Sequence, residues 1–237
     1  MKKILLVFLL IFSIKGWPQQ KENDKISFSE ALALHLPSYK QKAEKAYRFR
    51  NFEEAKMLFD SLVNYKLAGS FMDDFSFKNL RGKETSLSKF QKPVYLLTYA
   101  SWHTPGKGEL PALNQLAEKY SDEIDFIVVL WDDKKTAKEF SKNFNQHISV
   151  LYVDEKENEG AFVVKQLKHS LGLPTCFLLN DQKQIMEITR NVIHPYGISK
   201  KESFKMNYDA IENGIANHLL SQQKGRSNQS SIALSPE

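Results

Sequence analysis

Two predominantly apolar runs constrain the fold of this 237-residue chain more than any other feature of its sequence. The first is Val94–Tyr99 and the second covers residues 124–131. Nearly continuous apolar runs of this length are typical of β-strands that are buried on both faces. An amphipathic helical pattern follows each run, and strands that alternate with helices indicate a sheet covered by helices on both faces. The sequence therefore predicts an α/β fold.

The rest of the main domain continues this alternation and ends in a β-hairpin and a helix. A short strand over residues 150–153 and two strands around a turn at residues 180–183 should join the apolar runs in one mixed sheet. Residues 71–77 alternate between apolar and polar types, and residues 80–83 predict a turn. The other predicted elements are a helix with Leu110, Leu113, Ala117 and Tyr120 on one face, helices over residues 134–144 and 160–167, strands over residues 175–179 and 184–189, and a helix carrying Phe204, Tyr208, Ile211, Ile215 and Leu219.

Residues 21–66 are predicted to form a short helical hairpin ahead of the main domain. Apolar residues recur at helical spacing from about Phe28 to Asn64, with a polar break at Arg50 and Asn51. The segment around this break resembles one tetratricopeptide repeat, but arrays of such repeats need about three copies for stability. We therefore favour a hairpin that packs against the main domain.

The two ends of the chain have compositions unlike the rest. Lys2 and Lys3 precede the largely apolar residues 4–14, and this order is typical of a secretory signal peptide, here over residues 1–20. The apolar stretch is too short to span a membrane. We expect Sec-type export to the periplasm or cell envelope, as a soluble mature protein without a membrane span. Residues 221–237 are polar and rich in Ser, and they are predicted to be a disordered tail. The main domain would then occupy residues 67–220.

The composition excludes several classes of function. The formal net charge is +5, but residues 1–20 hold three lysines and no acid, so little basic excess remains for nucleic-acid binding. The single cysteine, Cys176, excludes an internal disulfide framework, a Cys-rich zinc site and a two-cysteine redox motif within this chain. We expect no nucleic-acid partner and no cofactor.

The segment that follows the first apolar run resembles part of a known family. It reads Tyr-Ala-Ser-Trp-His-Thr-Pro-Gly-Lys-Gly-Glu-Leu-Pro from Tyr99 to Pro111. This is similar to the active-site segment of the exported thioredoxin-like thiol-disulfide oxidoreductases of the TlpA/ResA type, whose pattern is Ala-x-Trp-Cys-x-Pro-Cys followed by Glu and Pro. The residues that match are Ala100, Trp102, Pro105, Glu109 and Pro111. The resemblance covers residues 67–220 and implies a thioredoxin fold, which is a central mixed sheet flanked by helices.

The resemblance includes a proline loop but breaks at the dithiol. Residues 172–175 resemble the loop whose proline, here Pro174, is cis and faces the dithiol in that family. His103 and Gly106 stand where the family has its two cysteines. Thiol-disulfide exchange needs a thiolate and a second thiol to resolve the mixed disulfide, and neither residue supplies one, so classical activity is not expected. The degenerate motif comprises Trp102, His103, Thr104, Pro105 and Gly106.

His103 is expected at the N-terminus of the helix that follows the motif. The helix dipole there favours a neutral imidazole, which could serve as a base or as a metal ligand. A metal site would need His103, His169 and His194 together, but their spacing lacks a metal-ligand pattern, so we predict none. Lys107 and Glu109 are expected to be ordinary charges of the first turn and helix face.

The sequence supports two functional hypotheses, and whether the chain is an enzyme is left open. The first is a protein of the cell envelope that lacks the redox dithiol and binds an extended peptide or another envelope protein. The alternative is a diverged single-cysteine thiol oxidoreductase or peroxidase that uses Cys176. This alternative requires Cys176 to face the His103 pocket. A free cysteine on a strand more often fills the core. The binding residues of the first hypothesis are Trp102, His103, Pro105, Leu173, Pro174 and Thr175.

Overall fold

A computed structural model describes residues 25–157, 160–190, 192 and 197–220 of the protein. The predicted signal peptide of residues 1–20, the predicted tail of residues 221–237 and His194 all lie outside the described residues.

The N-terminal part is a pair of helices, α1 (Phe28–Arg48) and α2 (Phe52–Leu62), as predicted. Helix α1 begins at a capping box, in which the Ser27 side chain accepts from the backbone N–H of Glu30 and the Glu30 carboxylate accepts from the backbone N–H of Ser27. Helix α2 begins at Asn51, whose side-chain oxygen accepts from Glu54 N, and it continues as a π-helix over Val63–Leu67. Arg50, with φ of 55°, lies in the turn between the two helices.

A seven-stranded mixed sheet forms the centre of the described part of the molecule, with the order β2-β1-β5-β4-β3-β6-β7. Strand β3 is parallel to β4, β4 is parallel to β5, and the other neighbouring pairs are antiparallel. The strands are β1 (Ser76–Asn79), β2 (Glu84–Ser86), β3 (Val94–Tyr99), β4 (Asp125–Leu130), β5 (Ile148–Tyr152), β6 (Thr175–Leu179) and β7 (Ile185–Arg190).

Helices cover both faces of this sheet, which confirms the predicted layered α/β arrangement. The remaining helices are α3 (Glu109–Lys119), α4 (Lys134–Phe140), α5 (Ala161–Val163, continued by a π-helix over Val164–Lys168) and α6 (Lys200–Gly214, continued by a π-helix over Ile215–Leu220). One apolar core joins the sheet to α1, α2 and α5 through residues such as Phe28, Phe59 and Phe177. The other core joins it to α3, α4 and α6 through Leu113 and Phe126 among others. None of the helices described is both long and apolar enough to cross a membrane.

Several predicted boundaries are wrong. The alternating residues 71–77 form a strand only from Ser76. Before it, Phe71 makes isolated bridges with Ser27 and Gln184, and Asp73 and Asp74 accept hydrogen bonds from Ser29 and Ser88. The predicted helix over residues 134–144 ends at Phe140 and gives way to a 3₁₀ turn. Periodicity gives no signal for strand β2, because its residues are polar.

Candidate functional site

The degenerate motif and the proline loop lie at the same edge of the sheet. Thr98 is the register partner of Thr175, and its side-chain hydroxyl donates a 3.0 Å hydrogen bond to the Thr175 carbonyl oxygen. The chain therefore leaves β3 toward Trp102 directly beside the place where the proline loop, residues 171–175, enters β6. The Leu173–Pro174 peptide bond is cis, as the resemblance implies.

The motif is held in an extended surface turn. The backbone N–H and the hydroxyl of Ser101 donate to the two carboxylate oxygens of Asp132, at 2.9 and 2.6 Å. His103 N donates to the Ala100 carbonyl oxygen at 3.0 Å. These contacts present Trp102 to solvent, with 68% of its surface exposed.

His103 does not lie at a helix N-terminus, contrary to the expectation. Helix α3 begins only at Glu109, with Gly108 as its N-cap. Gly108 lies tightly against α6: its N–H donates to the Ser203 hydroxyl, and an added Cβ would lie 2.0 Å from the backbone nitrogen of Phe204. The helix dipole acts mainly within the first turn of a helix, and His103 lies outside the first turn of α3, so the expected dipole effect on its imidazole does not apply. The His103 ring instead packs edge-on against Tyr99, with ring centroids 5.2 Å apart.

Glu109 is a buried carboxylate rather than an ordinary surface charge, which corrects the second expectation. It is 8% exposed, and its Oε2 accepts from the backbone N–H of Gly106 at 2.9 Å. Burial, together with the neighbouring Glu109 carboxylate, raises the pKa of Tyr99 far above its usual value. Lys107 is exposed as expected, and its Nζ lies 3.4 Å from the Ile198 carbonyl oxygen.

The proline loop offers less side-chain surface than predicted. Pro174 and Thr175 are both buried, because Thr175 opens β6 and its hydroxyl donates to the Gly172 carbonyl oxygen at 2.8 Å. Leu173 is half-buried and packs against the core beneath α1 and α2. Of the six predicted binding residues, Trp102 is exposed, and His103, Pro105 and Leu173 are half-buried.

Cys176 faces a different part of the molecule from His103. It lies on β6 between Leu97 and Thr189, and burial raises its pKa to about 12, although hydrogen bonds from Tyr95 and Thr189 partly oppose the rise. The thiol borders a cleft of about 160 Å³ between the sheet and α6. Other residues that line this cleft are Tyr95, Glu109, Glu187, Thr189, Arg190 and Asn207, and the lining includes neither His103 nor Pro174.

The three histidines of the metal alternative are not brought together in the described structure. His169 follows the π-helix that extends α5, where its N–H donates to the Val164 carbonyl oxygen, and His194 lies outside the described residues. Within residues 25–157, 160–190, 192 and 197–220, no three His, Cys, Asp or Glu side chains are placed to hold a metal ion.

Sequence reasoning missed Arg190 and Asp132, which contact the two segments of the site. Arg190 donates to the Leu171 carbonyl oxygen at 2.6 Å, and Asp132 anchors Ser101. Arg190 ends the edge strand β7, and Asp132 lies two residues after the end of β4. Polar residues at strand ends were the one signal that could have identified them.

Comparisons with known proteins identify the family. Residues 68–188, about half of the chain, match the AhpC/TSA family. The chain belongs to the AhpC/TSA family. The chain is 27% identical over 139 residues to the thioredoxin-like protein YneN of Bacillus subtilis (strain 168), covering 56% of this chain and 75% of YneN. It is 30% identical over 124 residues to the thiol-disulfide oxidoreductase ResA of Bacillus thuringiensis subsp. konkukian (strain 97-27), covering 51% of this chain and 68% of ResA.

A solved structure of a thiol:disulfide interchange protein from Bacteroides sp. aligns with a TM-score of 0.49 and 15% identity, over 63% of this chain and 91% of that one. The AhpC/TSA match and the two sequence relatives confirm the predicted TlpA/ResA-type resemblance, and the strand order described above confirms the thioredoxin fold.

Proposed function

We propose that this chain is a non-catalytic thioredoxin-fold protein that binds an extended peptide or another protein of the cell envelope. The observation that carries the proposal is the occupancy of the two cysteine positions by His103 and Gly106. The only thiol of the chain, Cys176, is buried on a strand and lines a cleft that His103 does not border.

The chemistry of disulfide exchange supports this view. The attacking group must be a thiolate, and a raised pKa of about 12 leaves Cys176 protonated at neutral pH. A second thiol must then release the mixed disulfide, and this chain has none.

The exposed surface supports a binding role. Trp102 is a large side chain held out by the Ser101–Asp132 contacts, and exposed aromatic residues of this kind supply much of the binding energy at protein interfaces. An extended peptide lying across the motif and the proline loop could add main-chain hydrogen bonds to the loop backbone. His103, Pro105 and Leu173 are half-buried beside it and would form the rest of the contact surface.

We place the protein in the periplasm or cell envelope, after export by a Sec-type signal. The support is the sequence of residues 1–20, in which a charged start precedes a short apolar stretch. The mature protein would be soluble there.

The alternative is a thiol oxidoreductase or peroxidase that uses Cys176 alone with an external thiol. The feature that favours it is the open cleft at Cys176, which could admit a small substrate. Rapid alkylation of the native thiol at neutral pH would support this alternative over the binding role.

The binding proposal can be tested with reduced, carboxymethylated α-lactalbumin as an unfolded probe. Fluorescence anisotropy of the labelled probe should show saturable binding to the full chain, and Trp102→Ala should weaken it by about tenfold, since aromatic anchors are worth 1 to 2 kcal/mol or more. Phe49→Ala, which truncates another exposed aromatic residue on the α1–α2 turn, is the matched control and should leave the affinity unchanged. No saturable binding, or equal losses in both variants, would contradict the proposal.

A further inference from the structure

Arg190 contacts both the N-terminal hairpin and the proline loop. It is the last residue of β7 and the register partner of Thr175, the residue that closes the proline loop. Its Nη2 donates a 2.6 Å hydrogen bond to the carbonyl oxygen of Leu171, where the loop begins. The side chain therefore holds the loop at one end, while the β6–β7 ladder holds the other.

The same guanidinium also contacts the hairpin. Its central carbon lies 3.8 Å from the centre of the Phe59 ring of α2, which is a close cation–π contact. Tyr39 of α1 packs edge-on against Phe59 with ring centroids 6.3 Å apart. Burial raises the pKa of Tyr39, and the positive charge of Arg190 opposes that rise.

The geometry requires arginine in particular. A guanidinium is planar, so it can stack on an aromatic ring with its face and still direct an N–H in its own plane toward a carbonyl oxygen. The compact ammonium of lysine has no such face and cannot make both contacts in the same way. An added Cβ at the neighbouring Gly172 would lie 3.9 Å from Arg190 Nη2, which is an ordinary van der Waals contact, so the φ of +84° is what favours glycine there.

We propose that the N-terminal hairpin regulates the peptide site by setting the conformation of the proline loop through Arg190. A partner that binds the hairpin and shifts α2 would withdraw the Phe59 ring, release the guanidinium and loosen residues 171–175. This regulation rests on the proposed peptide-binding function, because the loop borders the surface that carries Trp102. The link between hairpin and loop can be measured without any peptide.

The first experiment is hydrogen exchange on the full chain without a probe. Arg190→Gln should speed exchange of the amides of Leu171, Gly172 and Leu173 by about tenfold, which corresponds to the loss of one charged hydrogen bond. Phe59→Leu keeps an apolar side chain but removes the ring face, and it should speed exchange at the same amides by about threefold. Arg190→Lys should give an intermediate increase. Exchange in β3 and β4 should stay unchanged in all three variants.

Arg50→Gln is the matched control, because it also removes one arginine charge but lies in the exposed α1–α2 turn. It should leave exchange in the loop at the wild-type rate. If Arg190→Gln leaves the exchange rates in the loop unchanged, the inference is overturned. If Arg190→Gln speeds exchange in the loop but Phe59→Leu does not, the role of the hairpin is overturned.

The second experiment repeats the anisotropy titration with carboxymethylated α-lactalbumin. Arg190→Gln should weaken binding by about three- to tenfold, and Arg50→Gln should leave it unchanged. If the wild-type chain does not bind the probe while exchange in the loop still responds to both variants, the proposed function fails and the coupling between hairpin and loop stands. Unaltered probe affinity in Arg190→Gln, with wild-type binding intact, overturns the regulatory role.

Discussion

The hydroxyl of Thr98 donates a 3.0 Å hydrogen bond to the carbonyl oxygen of Thr175, and both side chains are fully buried. This contact fastens the end of β3 to the start of β6. Because the motif begins four residues after Thr98 and the proline loop ends at Thr175, the contact holds the two parts of the candidate site beside each other.

We predict that Thr98→Val destabilises the protein by about 1 kcal/mol, because a buried carbonyl oxygen loses a donor while the volume of the side chain is kept. Urea denaturation monitored by circular dichroism measures this change in the free energy of unfolding. Thr104→Val is the control, since Thr104 is exposed in the motif, and its stability should match that of the wild type. Equal stability of Thr98→Val and wild type would show that the hydrogen bond contributes nothing.

Gly108 is predicted to tolerate no side chain. An added Cβ would meet the backbone of Phe204 at 2.0 Å, so Gly108→Ala must push α6 away from α3 and should cost about 3 kcal/mol or more. Gly69→Ala is the comparison, because nothing lies within 4 Å of its added Cβ and only its φ of +90° is unfavourable. That variant should lose about 1 to 2 kcal/mol. Thermal melts that rank the two variants in the opposite order would contradict the packing described for α3 and α6.

Cys176 should react slowly in the folded protein. With a pKa of about 12, only a very small fraction of the thiol is ionised at pH 8, and the side chain is buried. We expect alkylation by iodoacetamide to be at least about a hundredfold slower than for a free cysteine of pKa about 8.5, and one equivalent to react after denaturation. Native labelling as fast as that of free cysteine would favour the single-cysteine enzyme.

The same thiol predicts a loss of stability at alkaline pH. The folded pKa of about 12 lies above the unfolded value of about 8.5, so between these values the native chain retains a proton that the unfolded chain has released. The contribution of Cys176 is therefore complete below about pH 8.5 and declines toward pH 12, by up to about 1.4 kcal/mol per pH unit. Cys176→Ala should show a shallower decline over this window in urea titrations. Parallel curves for the two proteins would be inconsistent with a buried, neutral thiol.

The central strands could be predicted because a strand that is buried on both faces leaves a recognisable apolar run in the sequence. Every residue of β3 is buried, so the run from Val94 to Tyr99 is apolar except for Thr98, whose hydroxyl is hydrogen-bonded. The polar strand β2, Glu84–Ser86, has no comparable signal, and its pairing with β1 becomes visible only in the folded sheet.

The candidate site was predictable in position but not in detail. The order of elements placed Trp102 and Pro174 at one sheet edge, since both flank central strands. The start of α3 at Glu109 depends on the contact between Gly108 and α6, about a hundred residues later in the chain, and no local pattern encodes it. The burial of Glu109 has the same origin, and Arg190 gains its role only when the N-terminal hairpin packs against β7.

The most direct test is the rate of insulin-disulfide reduction by the folded, full-length chain, with dithiothreitol as electron donor and a dithiol thioredoxin as positive control. Without a thiolate at either motif position, we predict a rate equal to the blank that contains dithiothreitol alone, for both the wild type and Cys176→Ala. A wild-type rate comparable with that of the thioredoxin, and abolished in Cys176→Ala, would contradict the non-catalytic role and make Cys176 the nucleophile.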